Sequence, residues 1–568
     1  MRRRAFLAGT GAALAACTAP IFSGGATLTL PPPTTPVADR VAVLLAGLSL
    51  EQKVGQLMSI AFHGTKITAA VEAMIRQRAI GGLVLRTENA PDAATLAKLT
   101  ADLQAIARDA KLPPLLLSID HEGGPVIRIA KGMTIVPGQM ALAATPEPLG
   151  AIKMANLITS SELRANGVFW NLAPDADVND EPRNPIIGNR SFGSDPQRVA
   201  QLVSQSVTVY RAERMFPTAK HFPGHGATTV DSHSGLPQID SDRRRLDAVE
   251  LVPFKAAIAA GVQAIMSAHI VVPALAPTPG RPVTLSKKVM TDLLRGELGF
   301  QGLILTDDLE MGALSAIGQP RAGLMAFEAG ADHLLFRFDE SAQIEGHRLI
   351  VDAVRRGRIP AARLDASLMR FLAAKIGQGL YEVPQPVSID LEQNGRNAMD
   401  LARQTITLLT NDGVLPLRGK VLALGALAAD IATVVGDSDL ATELAALRPN
   451  TTPRKFAQVT DAFIATAVAD ARAHDAVVVG VADIGVNDDQ RKLVSALAAV
   501  KPTVMVSLRA PYDALYVSGV AAIVCAYGGR VPTLRAVAEI VTGARKPVGK
   551  LPVDIPGRFP IGAGKTGF

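Results

Sequence analysis

Three histidines fall close together in Lys220-His221-Phe222-Pro223-Gly224-His225-Gly226 and Asp231-Ser232-His233-Ser234-Gly235. Pro223 and the glycines after it exclude a regular helix, so the segment reads as a strand end running into a loop. Two chemistries fit these residue types. The imidazoles and an aspartate could ligate a metal, although no helical pair of histidines one turn apart can form around Pro223. Alternatively, Asp231 orients His233, which then gives and takes a proton as general acid and base. Any one of the three can also be a satisfied buried imidazole. A second chemical segment is Gly302-Leu303-Ile304-Leu305-Thr306-Asp307-Asp308-Leu309-Glu310-Met311. A carboxylate there could attack an electrophilic carbon, such as the anomeric carbon of a glycoside. Its neighbour Asp308 could cap the turn that follows.

These side chains need a scaffold that brings them to one place. Aliphatic runs at Leu57–Phe62, Gly82–Leu85, Leu115–Ile119, Val168–Leu172, Thr218–His221, Ala264–His269, Leu303–Thr306 and His333–Phe336 alternate with amphipathic stretches. Alternating β and α units with buried strands imply a parallel sheet. Eight of them fit a closed (β/α)8 barrel, with an open doubly wound sheet as the competitor. Asp120, Asp175, Asp177, Lys220, His221, His269, Asp307 and Asp308 all lie at or just beyond strand ends. In a barrel they would converge on one mouth, at the carboxyl ends of the strands.

The full division reads as an export signal and tether over 1–38, a barrel over 39–385, a linker over 386–398 and a smaller α/β domain over 399–568. In the last of these, runs at Thr405–Leu409, Val421–Leu424, Ala476–Val481, Thr503–Ser507 and Ala522–Cys525 predict a second parallel sheet flanked by helices.

The ordered set of motifs resembles glycoside hydrolase family 3, in its β-N-acetylglucosaminidase branch. Lys220 to Gly226 with Asp231-Ser232-His233 matches that branch's KHFPGHG and DSH signature. Thr306-Asp307-Asp308-Leu309-Glu310-Met311 matches its nucleophile segment. Asp120-His121-Glu122-Gly123-Gly124 with Arg128, and Asn189-Arg190-Ser191-Phe192-Gly193, match its sugar-binding segments. Ala402 to Pro552 resembles the second domain.

The resemblance implies that Asp307 attacks the anomeric carbon, His233 protonates the leaving oxygen and Asp231 holds the imidazole. It also implies that Asp120, Arg128, Arg190, Lys220 and His221 hold the hydroxyls and acetamide of a carbohydrate substrate, with no metal and no cofactor. The second domain is expected to contribute packing. One departure stands beside Asp120: Pro125 occupies a position where the family usually has arginine.

The rivals are a β-glucosidase or a phosphorylase of the same family, a metallohydrolase and a non-catalytic sugar-binding protein. An imidazole that ends the first half-reaction neutral would not repel phosphate, which is the physical case for a phosphorylase.

At 568 residues, with 48% hydrophobic and 19% charged residues, the chain is long enough for two well-packed cores. A net charge of +6 with scattered Lys and Arg gives a nucleic-acid partner little support. The start, Met1-Arg2-Arg3-Arg4-Ala5-Phe6-Leu7 followed by a short apolar run, carries the marks of an export signal and resembles a twin-arginine signal. Leu14-Ala15-Ala16-Cys17 resembles a lipobox, in which Cys17 would carry a lipid anchor; simple cleavage with Cys17 incidental is the alternative. A periplasmic location is expected. Only Cys17 and Cys525 occur, so a structural disulfide is not expected.

Overall fold

The structure is a computed structural model that describes residues 32–276, 278–382, 387–426 and 438–568. The expected export signal and Cys17 lie outside the described residues. Eight parallel strands form the first sheet: β1 (Met58–Ile60), β2 (Gly82–Leu85), β3 (Leu116–Ile119), β4 (Trp170–Asn171), β5 (Phe216–Phe222), β6 (Ala264–Ser267), β7 (Leu303–Asp308) and β8 (His333–Phe336). Strand β1 pairs with β8 as well as β2, with Ser59 opposite Leu335, so the sheet closes and the open alternative is excluded.

The helices between strands form for local reasons. In Ala93–Asp109, Leu96, Leu99, Thr100, Leu103 and Ala107 recur at helical spacing and are buried, while the Asp92 carboxylate accepts the Thr95 amide at the N-terminus. Strand β4 is shorter than the apolar run Val168–Leu172 predicts. The Asn171 side chain accepts the His121 amide and donates to the His121 carbonyl, and so takes over bonds that a longer ladder would make.

The second sheet has the order β11-β10-β12-β13-β14-β9, from β9 (Thr407–Asn411), β10 (Val421–Ala426), β11 (Thr451–Phe456), β12 (Ala476–Val481), β13 (Thr503–Ser507) and β14 (Ala522–Cys525). Three expectations need correction. The sheet is mixed, because β9 runs antiparallel to β14. Strand β11 was not foreseen from its residues: Pro453, Arg454 and Lys455 are exposed, as an edge strand allows and a buried one does not. The expected linker at 386–398 is also partly helical. Leu391–Thr405 is a helix capped by Asp390, and it buries Ala398, Leu401, Ala402 and Thr405 along one stripe.

Inside the barrel, Trp170, Phe216, Leu116, Met266, Leu303, Leu305 and Phe371 fill the interior. Beside them Lys375 is fully buried, with its Nζ 2.7 Å from Gln56 Oε1 and 4.7 Å from the centre of the Phe371 ring. No carboxylate among the described residues pairs with it, and burial pushes its pKa well below the ordinary lysine value. The unfolded chain therefore binds the extra proton between that depressed value and about 10.4, so this group's penalty shrinks as pH rises through the window. Lys375→Met should stabilise the fold at neutral pH by about 1–2 kcal/mol, after the loss of the Gln56 bond is counted. Denaturant melts at neutral and alkaline pH check this: the gain should narrow toward pH ~10, and a destabilised variant would refute it.

Candidate active site

The ends of β3, β4 and β5 build one wall of a cavity that holds about 730 Å³ of open space at the barrel mouth. Lys220 Nζ lies 2.8 Å from Asp120 Oδ1 and 2.7 Å from Glu122 Oε1. Arg128 Nη2 lies 3.2 Å from the other Asp120 oxygen. Arg190 forks onto Glu122 through Nε and Nη2, at 3.0 and 2.8 Å, a bidentate arrangement that fixes both side chains. Burial alone would disfavour every one of these charges. The Lys220 and Arg128 charges nevertheless hold the Asp120 carboxyl well below its ordinary range, and the paired carboxylates keep Lys220 protonated.

His221 connects this wall to a buried acidic pair. Its Nδ1 is 2.7 Å from Asp177 Oδ2 and its Nε2 is 3.3 Å from Arg190 Nη2. Arginine only donates, so Nε2 accepts and Nδ1 carries the proton toward Asp177. Asp175 beside them is pushed well above the usual carboxyl value by burial and by the Asp177 charge. Asp175, Asp177 and His221 bring ligand-type atoms within 4.8 Å of one another. The fit to a cation is poor, because the Arg190 guanidinium already faces the same atoms, 3.8 Å from Asp175 Oδ2. The three histidines of the sequence motif do not converge either. His225 spends its ring nitrogens on Thr228 and Ser232, at 2.7 and 2.9 Å, and burial pushes its pKa down to about 4.

That use of His225 explains how the loop after β5 is held. Its bond to Ser232 ties down the turn in which Asp231 Oδ1 accepts both the His233 amide and His233 Nδ1, each at 2.8 Å. The loop then docks on the segment after β7, where Gly312 N–H donates to the His233 carbonyl and Ala313 N–H to that of Ser232. A Cβ on Gly312 would sit 2.7 Å from the His233 carbonyl oxygen, and one on Gly226 only 1.8 Å from that of Val178. Glycine is needed at both close approaches. Burial raises the Asp231 pKa, but the two bonds from His233 outweigh it and hold the carboxyl below its usual value. The His233 side chain remains 52% exposed and lines the cavity.

Asp307, at the end of β7, lines the same cavity. Burial opposes its charge, yet His221, His269, His233 and the Asp308 amide at 2.8 Å draw its pKa below the ordinary value. His269 steadies this strand end, with Nε2 3.0 Å from the Asp308 carbonyl oxygen. Asp308 has the turn role allowed for it: its Oδ1 accepts the Glu310 amide, its Oδ2 lies 3.1 Å from Arg337 Nε, and burial pushes it up to about 6.

Of the candidates read from the sequence, Asp120, Arg128, Arg190, Lys220, His221, His233 and Asp307 line one cavity, and Asp231 stands behind His233. Sequence reasoning placed Asp177 at the mouth without a specific role, and gave none to Glu122, Arg86 or Arg337. Arg86 and Arg337 directly follow β2 and β8, so the strand-end rule could have found them.

Among the described residues, none of the second domain lines the cavity, but several clamp the loop that carries Arg190. Tyr512 O–H donates to the Asn179 carbonyl at 2.6 Å, Asn189 Nδ2 to the Tyr527 carbonyl at 2.9 Å, and the Asp554 amide to Ser194 Oγ at 2.9 Å.

A closed parallel barrel with a charged cavity at its mouth, an ionised aspartate and an imidazole–carboxylate pair defines a barrel hydrolase for a polar substrate. Residues 49–374 match the glycosyl hydrolase family 3 N-terminal domain and residues 406–560 the family's C-terminal domain. The chain belongs to glycosyl hydrolase family 3, and it is a glycoside hydrolase. It is 32% identical over 559 residues to the beta-hexosaminidase A of Pseudoalteromonas piscicida, across 86% of this chain and 92% of that protein. The beta-hexosaminidase of Pseudomonas aeruginosa is 33% identical over 315 residues, which are 55% of this chain and 90% of that one. Among solved structures, a family 3 beta-N-acetylglucosaminidase from Paenibacillus is similar with a TM-score of 0.86 and 35% identity, over 90% of this chain and 99% of that chain.

Proposed function

We propose that the chain is a retaining exo-β-N-acetylglucosaminidase that releases terminal N-acetylglucosamine from muropeptides or chitin-derived oligosaccharides. The observation that carries this reading is the ionised Asp307 in one cavity with the Asp231–His233 pair. In the first half-reaction an Asp307 oxygen bonds to the anomeric carbon as the glycosidic bond breaks, and His233 passes its proton to the leaving oxygen. In the second, His233 takes a proton from water as that water displaces Asp307, which restores the original configuration. Asp120, Arg128, Arg190, Lys220 and His221 hold the sugar. Similarity over 86% and 90% of this chain to two proteins named for N-acetylhexosamine chemistry supports the sugar assignment.

Nitrophenol release from the β-N-acetylglucosaminide and the β-glucoside tests it, with chelator and inorganic phosphate as further arms. Activity on the first substrate alone, indifferent to both additions, is the expected result. Activity on the glucoside alone overturns the sugar assignment, chelator sensitivity revives a metallohydrolase, and a glycosyl phosphate product identifies a phosphorylase. Export and lipidation at Cys17 belong to the same proposal, because an exported enzyme meets wall fragments outside the cytoplasm. Cell fractionation with lipid labelling of the full chain and of Cys17→Ala checks that part.

A further inference from the structure

Of the cations that line the cavity, all but one face a carboxylate. Arg128 and Lys220 face Asp120, Lys220 and Arg190 face Glu122, and Arg337 faces Asp308. Arg86 is the exception: among the described residues its guanidinium has no ion pair and no side-chain hydrogen bond. It lies 5.9 Å from the centre of the Phe338 ring, and the Arg337 guanidinium lies 4.9 Å from the same ring. Phe338 is itself stacked on His63, with centroids 3.9 Å apart. An aromatic plate thus holds two guanidinium groups at the cavity wall, where β2 and β8 end on either side of β1. Nearby, Arg128 Nε is buried without a hydrogen-bond partner.

This placement is costly without a counter-charge. Burial, and then the charges of Arg128 and Arg337, work against the Arg86 cation, while Asp120 and Asp308 relieve it from a distance. Both of those carboxylates already answer to nearer cations. A neutral hydroxyl could occupy the free donors, but it would leave the repulsion between like charges in place. An anion relieves both, with charge-assisted and potentially bidentate hydrogen bonds.

We propose that Arg86, with Arg337 beside it on Phe338, forms an anion-recognition subsite in the cavity, and that the substrate carries a carboxylate, sulfate or phosphate group that reaches it. The inference rests on the glycosidase reading and adds the charge of the substrate to it. The anionic group can sit on the terminal sugar or on the aglycone.

Three nitrophenyl substrates distinguish these sources. They are the neutral β-N-acetylglucosaminide, the same sugar with a sulfate ester on its primary hydroxyl, and the neutral sugar on a carboxynitrophenyl aglycone. The readout is the ratio of kcat/KM, charged over neutral, within the unmodified chain and within each variant. One charged substrate should be preferred about tenfold, and added salt should shrink that preference. The preference should be lost in Arg86→Gln and partly kept in Arg86→Lys. Arg337→Gln should also lower it, and serves if Arg86→Gln does not fold. The preferred substrate shows which side of the scissile bond carries the anion. A ratio at or below one for both substrates, or a preference that survives Arg86→Gln, overturns the proposal. No release from any of the three by the unmodified chain overturns the glycosidase reading, and the proposal with it.

Discussion

Asp307→Ala lowers kcat/KM on nitrophenyl β-N-acetylglucosaminide by at least about four orders of magnitude, with thermal stability held within about 1 kcal/mol of the parent. Little stability should be lost because burial opposes the Asp307 charge and offsets much of what its neighbours contribute, so truncation removes a desolvation cost together with those interactions. Loss of the carboxylate abolishes that charge and one hydrogen bond from the Asp308 amide, and it leaves the β7 backbone tied to His269 through Asp308. Loss of rate alone would also follow if Asp307 only stabilised a developing cation. Added azide separates the two roles. In the truncated site azide can occupy the vacated face and attack the anomeric carbon, so a nucleophilic Asp307 predicts rescue with a glycosyl azide of inverted configuration. Residual activity above about one percent of the parent without azide, or azide rescue with retained configuration, would remove Asp307 from the nucleophile's place.

The sequence made the barrel legible because its strands are aliphatic runs buried on both faces, and such runs contrast sharply with amphipathic helices. The same contrast failed at β11, whose exposed Pro453, Arg454 and Lys455 read as a loop until β10 is seen beside it. The direction of β9 was equally invisible, since the pattern of Thr407–Asn411 carries no sign of which way the strand runs. At the site, residues named by a local pattern were found: Asp231 is two residues from His233, and Asp307 ends a strand. Roles that depend on contacts far apart in sequence were not. Glu122 acquires its function only where Arg190 and Lys220 reach it from β4's loop and β5. The hold of Tyr512 on Asn179 joins positions 333 residues apart. Even His225, inside the richest motif, was ambiguous, because a loop-anchoring histidine and a metal ligand look alike until the hydroxyls of Thr228 and Ser232 are placed.

The second large effect belongs to His233, and its signature is a dependence on the leaving group. His233→Ala should cost about 10²- to 10⁴-fold in kcat/KM on a disaccharide, whose departing alkoxide needs a proton. On nitrophenyl glycosides the loss in the first step should be far smaller, because nitrophenolate leaves unaided. The second step still lacks its general base, so the glycosyl-enzyme accumulates. A burst of nitrophenol and a sugar adduct on Asp307, visible in the intact mass, should follow. The geometry favours a clean truncation, since the loop is pinned by backbone bonds from Gly312 and Ala313 and by His225, none of which uses the imidazole. Asp231→Asn probes the other half of the pair. The ionised Asp231 accepts at His233 Nδ1 and so leaves Nε2 to face the substrate. An amide at 231 can present its own N–H instead and turn the imidazole to the wrong tautomer. That variant should reproduce the burst in weaker form. Equal losses across good and poor leaving groups in His233→Ala, with no adduct, would assign the proton to another residue and reduce the Asp231–His233 pair to a structural turn.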